Sequence, residues 1–331
     1  MRTRRQATLV LAAGLGLALA PATAVGASPP HAATPELLAS GLEGGSGSTI
    51  GPDGALYVTE GVAGRVSRID RETGEVSTFA DCLPPRIAPL GGPVDVAFLD
   101  DTAYVLVSMV GPDLGGDAVS GIYRVDDAHT CTPIADIGAF SIAHPPDADI
   151  FVLSGVQYAL EPYRGGFLVT DGHHNRVLGV DLDGEVREVL TLPNVVPTGL
   201  DVVHRTVYLA EAGPVPHEPE DGVVVAFRGT HSPTPREVAR GARLLVDVEA
   251  GRGHQLFALA QGVFPAGSDP GTPALPDTGQ LLRARHDGTF TEVVGGLDQP
   301  TSLEIAGGSA YVVTLGGEVW EVEHLGAGHH H

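Results

Sequence analysis

Three carboxylates recur at one place in a repeated pattern: Glu60, Asp171 and Glu211 each close a short apolar segment, LYVTE, FLVTD and VYLAE. The matching positions of three further copies hold Val107, Ala260 and Thr314. Carboxylates converging from separate segments can hold a hard cation such as Ca²⁺ through oxygen ligands. They can equally form a polar rim neutralised by arginines such as Arg65 and Arg176. His173 and His174 come just after Asp171, and a histidine beside a carboxylate is a candidate general base or metal ligand. His144, His217, Glu218 and Gln261 lie in other turn-rich stretches that could approach the same opening. The histidine spacing fits no zinc signature, and neither a nucleophile elbow nor a phosphate-cradling glycine loop occurs.

Such groups need a scaffold, and internal repetition supplies one. Segments 54–60, 64–70 and 74–80 alternate apolar and polar residues between Gly- or Asp-containing turns, the pattern of an antiparallel meander. The pattern returns at 166–171, 175–181 and 184–190, and in four weaker copies that start near Pro93, Pro197, Leu245 and Pro300. The last copy stops after its third strand, and segment 35–41 resembles the outer strands of other copies. An N-terminal strand is therefore expected to close the ring, leaving no open sheet edge. The fold class is all-β, a six-bladed β-propeller over 35–325, preceded by a signal peptide at 1–27 and a linker at 28–34 and followed by a flexible His-containing tail at 326–331.

The loops between second and third strands are long at 108–120, 212–221 and 261–278, and the inter-blade passage 138–154 falls on the same face. The opposite face has tight turns such as Asp183-Gly184. Long loops gathered on one face of a rigid scaffold are where binding usually sits. Asp95, Asp201, Asp247, Glu249 and Glu304 fall on first strands near the ring interior, where some are expected to be hydrogen-bonded ties between blades.

The 41 acidic residues outnumber the 19 basic ones, giving a formal charge of -22, and every basic residue other than histidine is arginine. Such a surface repels phosphate backbones and anionic headgroups, so nucleic acid and membrane surfaces are poor partners, and no nucleic-acid partner and no membrane span are expected. Arg2, Arg4 and Arg5, an apolar run at 7–20 and small residues before position 28 form a secretory signal, too short to span a membrane. The chain is expected to be exported and monomeric, with its two cysteines, Cys82 and Cys131, joined in a disulfide.

The stretch VTDGHHNRV at 169–177 resembles the NHL signature. Over 35–323 the chain resembles the ScyD/ScyE family of secreted propellers, within the NHL and SMP-30-like six-bladed superfamily, through GPDGALYV at 51–58, VPTG at 196–199 and LVDV at 245–248. The resemblance implies fold and export more strongly than a reaction. Related lactonases hold a catalytic Ca²⁺ with Glu, Asn and Asp around the axis; Glu60 and Asp171 match in type, whereas the Asn ligands have no counterpart. Two functions are expected. One is an extracellular binding or scaffold protein that takes a small molecule, glycan or protein at the long-loop face through Glu60, Asp171, Glu211, His217 and Gln261. The alternative is a calcium-assisted, lactonase-like hydrolase with Glu60, Asp171 and Glu211 on the metal and His173 or His174 as base.

Overall fold

The computed structural model describes residues 34–147, 152–218 and 220–325. The signal segment, the linker up to residue 33 and the tail lie outside the described residues. The described chain forms six four-stranded antiparallel sheets, each a meander. The first strands, Gly45–Ile50, Gly92–Leu99, Gln157–Tyr163, Pro197–Val203, Leu245–Ala250 and Pro300–Ala306, each touch the next around a closed circle, so they line the axis. In the sixth blade the fourth strand is Glu36–Ala39, which pairs antiparallel with Val319–Val322, Leu37 opposite Trp320. The ring closes as expected.

Second strands sit between two neighbouring sheets and are buried on both faces. Leu56–Glu60, Gly166–Asp171 and Leu256–Ala260 are buried at every position, which is why they read as apolar runs. Fourth strands face solvent; Val76–Ala80 is buried only at its last residue. The interfaces are mainly aliphatic, with aromatic contacts between the first two blades, where Tyr57 meets Phe79 and Phe98 edge-on at 4.9 and 4.8 Å between ring centres, and between the second and third, where Tyr104 meets Phe167 at 4.9 Å. Cys82 and Cys131 form a disulfide with 5.5 Å between Cα atoms, joining the exit of the first blade to the outer strand Thr130–Asp136 of the second.

The first-strand acids tie blades together as the sequence suggested. Asp95 accepts from the backbone N–H of Leu160 in the next blade at 2.7 Å, and Asp247 from that of Leu303 at 2.8 Å. Asp201 accepts from Ala250 N–H at 2.8 Å. On the other side, glycine is required: a Cβ on Gly47 would lie 2.3 Å from Asp95 Oδ1, and one on Gly199 2.4 Å from Asp247 Oδ1 and 2.5 Å from its Cα. Because backbone as well as side chain would have to retreat, Gly199→Ala is expected to cost about 1–3 kcal/mol. Urea denaturation of the variant checks this, and an unchanged midpoint would contradict it.

One passage departs from the expected irregular loops. Residues Ile137–Ala143 form a short helix, α1, whose first turn is capped by Asp136 accepting from Ala139 N–H at 2.8 Å.

Candidate functional site

The axis opens on the long-loop face into a cavity of about 180 Å³. Its mouth is set by Tyr158, His173, His217 and Gln261, with Leu90, Leu244 and Leu315 among the apolar walls. Tyr158 stands on the first strand of the third blade, and its hydroxyl lies 3.0 Å from His173 Nε2. His173 belongs to the turn between the second and third strands of that blade. Burial, with His217 nearby, pushes the His173 imidazolium pKa down to about 4, so the ring is uncharged at neutral pH. Burial lowers His217 as well. His217 packs edge-on against Phe264 at 5.1 Å, and its Nδ1 is sealed from solvent with no hydrogen-bond partner among the described residues. Gln261 lines the cavity while its Oε1 accepts from Ala274 N–H at 2.9 Å, which fixes the long loop of the fifth blade.

The three recurring carboxylates are not gathered at this mouth. Glu60 is fully buried and accepts two hydrogen bonds from Arg65, both at 2.8 Å, as well as bonds from Ser67 and from Glu43 N–H. The hydrogen bonds from Arg65, Glu43 and Ser67 outweigh the effect of burial and hold its pKa below the usual range. Asp171, equally buried, takes Arg176 Nε at 2.9 Å, Ser141 Oγ at 3.2 Å and Gln157 Nε2 at 3.2 Å. The register explains both pairs, because Glu60 faces Arg65 and Asp171 faces Arg176 across adjacent strands. Glu211 faces Val223 and so lacks the arginine; burial, then the charge of Glu237, pushes its pKa up to about 7. Among the described residues no group of three or more His, Cys, Asp or Glu side chains could hold a metal ion. The expected calcium cage of Glu60, Asp171 and Glu211 thus does not fit: two of its members are committed to arginines, and the polar-rim alternative is the one the geometry displays.

His174, the other candidate base, is enclosed with Asp171 and Arg176. Its Nε2 is 2.9 Å from Val152 O and its Nδ1 3.1 Å from Asp171 Oδ2. It lines no part of the cavity, so it braces the turn rather than facing a ligand. Asn175 has a left-handed φ of 53° and accepts from Val195 and Val196 N–H, both at 2.9 Å, as a turn residue would. His144 ends α1 with Nδ1 3.0 Å from Phe140 O, away from the cavity. Glu218 lines a smaller side recess with Arg243.

Deeper on the axis the walls become acidic. Counting from the residue that precedes the register shift in each first strand (Gln157, Pro197, Leu245, Pro300, Gly45 and Pro93), the fifth position is Glu161, Asp201, Glu249 and Glu304 in blades three to six, and Thr49 and Ala97 in blades one and two. Glu161 and Tyr158 escaped sequence reading because their strand was not recognised; alignment of strand openings would have shown the acid at its fixed offset. Burial raises Glu161, Glu249 and Glu304 well above the carboxylate range, neighbouring acids adding to the rise, and brings Asp247 up to about 7. A carboxyl raised by folding binds its proton more tightly in the native state, so its contribution is full below the unfolded value and lost as pH rises through the folded one. Exposed acids such as Asp70 and Asp126 are lowered by hydrogen bonds, and their contribution disappears only below the usual range. The lowered histidines His173 and His217 work the other way, but the raised carboxyls Glu161, Glu211, Asp247, Glu249 and Glu304 outnumber them, so thermal midpoints are expected to be higher at about pH 5 than at about pH 8. A flat or rising profile over that window would contradict the burial of these acids.

No family model matches the chain, and no curated protein matches it. Among solved structures, a gluconolactonase from Xanthomonas campestris is similar with a TM-score of 0.60 and 13% identity, over 88% of this chain and 89% of that one. A putative gluconolactonase gives a TM-score of 0.57 at 12% identity, over 89% and 93%. A virginiamycin B lyase from Staphylococcus aureus gives 0.52 at 12%, over 88% and 98%. At these identities the likeness is one of fold alone.

Proposed function

We propose that the protein binds a small molecule in the axial cavity of its long-loop face. The observation that carries this reading is the cavity itself: apolar walls with a few convergent polar groups, Tyr158, His173, His217 and Gln261, on a rigid ring. The same reading takes the chain as an exported member of the ScyD/ScyE group, and the Cys82–Cys131 disulfide is compatible with an oxidising compartment. A fragment screen by ligand-observed NMR tests it. Hits are expected to compete with one another and to vanish in Thr272→Trp, which places an indole in the cavity wall, while Asp183→Asn on the plain face keeps them. Hits that ignore Thr272→Trp would refute the site.

The fold likeness to gluconolactonases favours a second reading, hydrolysis in the same cavity. His173, uncharged at neutral pH and on the cavity wall, is the base it would use. The reading routes no step through calcium, because Glu60 and Asp171 are engaged by Arg65 and Arg176. Acid release from gluconolactone in a pH-stat separates the readings. Turnover abolished by His173→Gln establishes catalysis; no turnover with intact fragment binding leaves a binding protein.

A further inference from the structure

The carboxylates of this protein fall into two kinds. At the inner ends of the second strands, Glu60 and Asp171 are matched by Arg65 and Arg176. Along the axial cavity there is no such matching. Glu161, Glu249, Glu304, Asp95 and Asp247 all line it, and among the described residues no arginine does; the chain has no lysine to offer. Asp95 and Asp247 are occupied by backbone N–H groups of the next blade. Among the described residues no basic side chain stands against Glu249 or Glu304; the charged groups that face them are other acids, among them Asp201, Asp247 and Glu161.

Apart from Asp95 in blade two, the lining acids also fall on one side. Blades three to six place an acid at that fifth position of the first strand, whereas blades one and two place Thr49 and Ala97 there. An unmatched carboxylate wall in a low-dielectric cavity is costly unless a cation or a proton answers it. A small metal ion is not the match, because among the described residues no three acids or histidines come close enough to share one. Acids spread along a cavity of about 180 Å³ with apolar walls suit a larger cation that carries its own apolar surface.

We infer that the axial cavity takes a small organic ammonium compound, its cationic head toward Glu249 and Glu304 and its apolar part against the walls nearer Tyr158 and His217. The inference rests on the small-molecule reading above and specifies its ligand class. Entry of an ammonium displaces protons that the acids hold in the empty cavity, so binding releases protons to the buffer.

Calorimetry of the mature chain at neutral pH tests this with three probes: benzylammonium, its neutral isostere benzyl alcohol, and calcium chloride. Benzylammonium is expected to bind at least tenfold tighter than benzyl alcohol, with a heat that changes with the ionisation enthalpy of the buffer. Glu249→Gln and Glu304→Gln relieve buried charge and are expected to fold with midpoints no lower than the parent, yet each to weaken benzylammonium at least fivefold and leave benzyl alcohol unchanged. Equal binding of amine and alcohol would overturn the ammonium assignment while leaving the cavity as a site. Calcium bound in preference to the amine, and lost in the same variants, would overturn it in favour of a metal. If neither organic probe binds, the ammonium inference falls; the fragment screen then decides separately whether the cavity is a site at all.

Discussion

Replacing Arg176 by methionine is expected to destabilise the protein by about 3–5 kcal/mol, among the largest effects of any single substitution. Arg176 is 1% exposed and Asp171 fully buried. Besides Asp171, the guanidinium serves His144 O at 2.8 Å and Ser141 Oγ at 2.9 Å, so it fastens α1 to the third blade. Methionine approximates its volume but leaves the Asp171 carboxylate in the interior without its counter-charge. Removing both charges together in Arg176→Met/Asp171→Asn is expected to recover part of the loss, since the penalty lies chiefly in the orphaned carboxylate. Urea denaturation of the two variants measures this. A single variant within about 1 kcal/mol of the parent would show that the pair is not the buried brace described.

Loss of the disulfide is expected to be of similar size. Cys82 and Cys131 are 49 residues apart, and in the chain-entropy description closing such a loop in the unfolded state stabilises by about 4 kcal/mol. The double variant Cys82→Ala/Cys131→Ala should therefore lower the denaturation midpoint strongly, as should a reducing agent acting on the parent. The two treatments should not add. A parent indifferent to reductant, with the double variant unchanged, would show the bond to be absent.

The ring was legible because its period is carried by the apolar second strand that every blade needs, reinforced by Asp-Gly turns in some blades and by the Arg-Val opening of the third strand in two, Arg65-Val66 and Arg176-Val177. Where a strand is made of other material, the sequence is silent. Gly45–Ile50 reads GSGSTI, a poor strand by propensity, yet it is one, because Gly47 must lie against Asp95. Gln157–Tyr163 contains Pro162 and was missed for the same reason, and with it Tyr158 and Glu161 on the cavity wall.

The candidate site was half legible. His173 was singled out by its place beside Asp171, and His217 and Gln261 by theirs in long loops, and all three reach the cavity. Glu60 and Asp171 were singled out by their recurrence, but recurrence cannot tell which way a carboxylate turns. The cross-strand register decides it, by setting an arginine opposite each and a valine opposite Glu211. The first-strand acids were seen in part and read as ties between blades. That holds for Asp95, Asp201 and Asp247, while Glu249 and Glu304 remain without a basic partner on the axis.

The most direct measurement is a crystal structure of the mature chain soaked with a mixed set of small fragments. Fragment density on the axis, in contact with His217 and Gln261, is the expected result. Density confined to the blade surfaces or the plain face, with only water on the axis, would contradict the assignment of the cavity as the functional site.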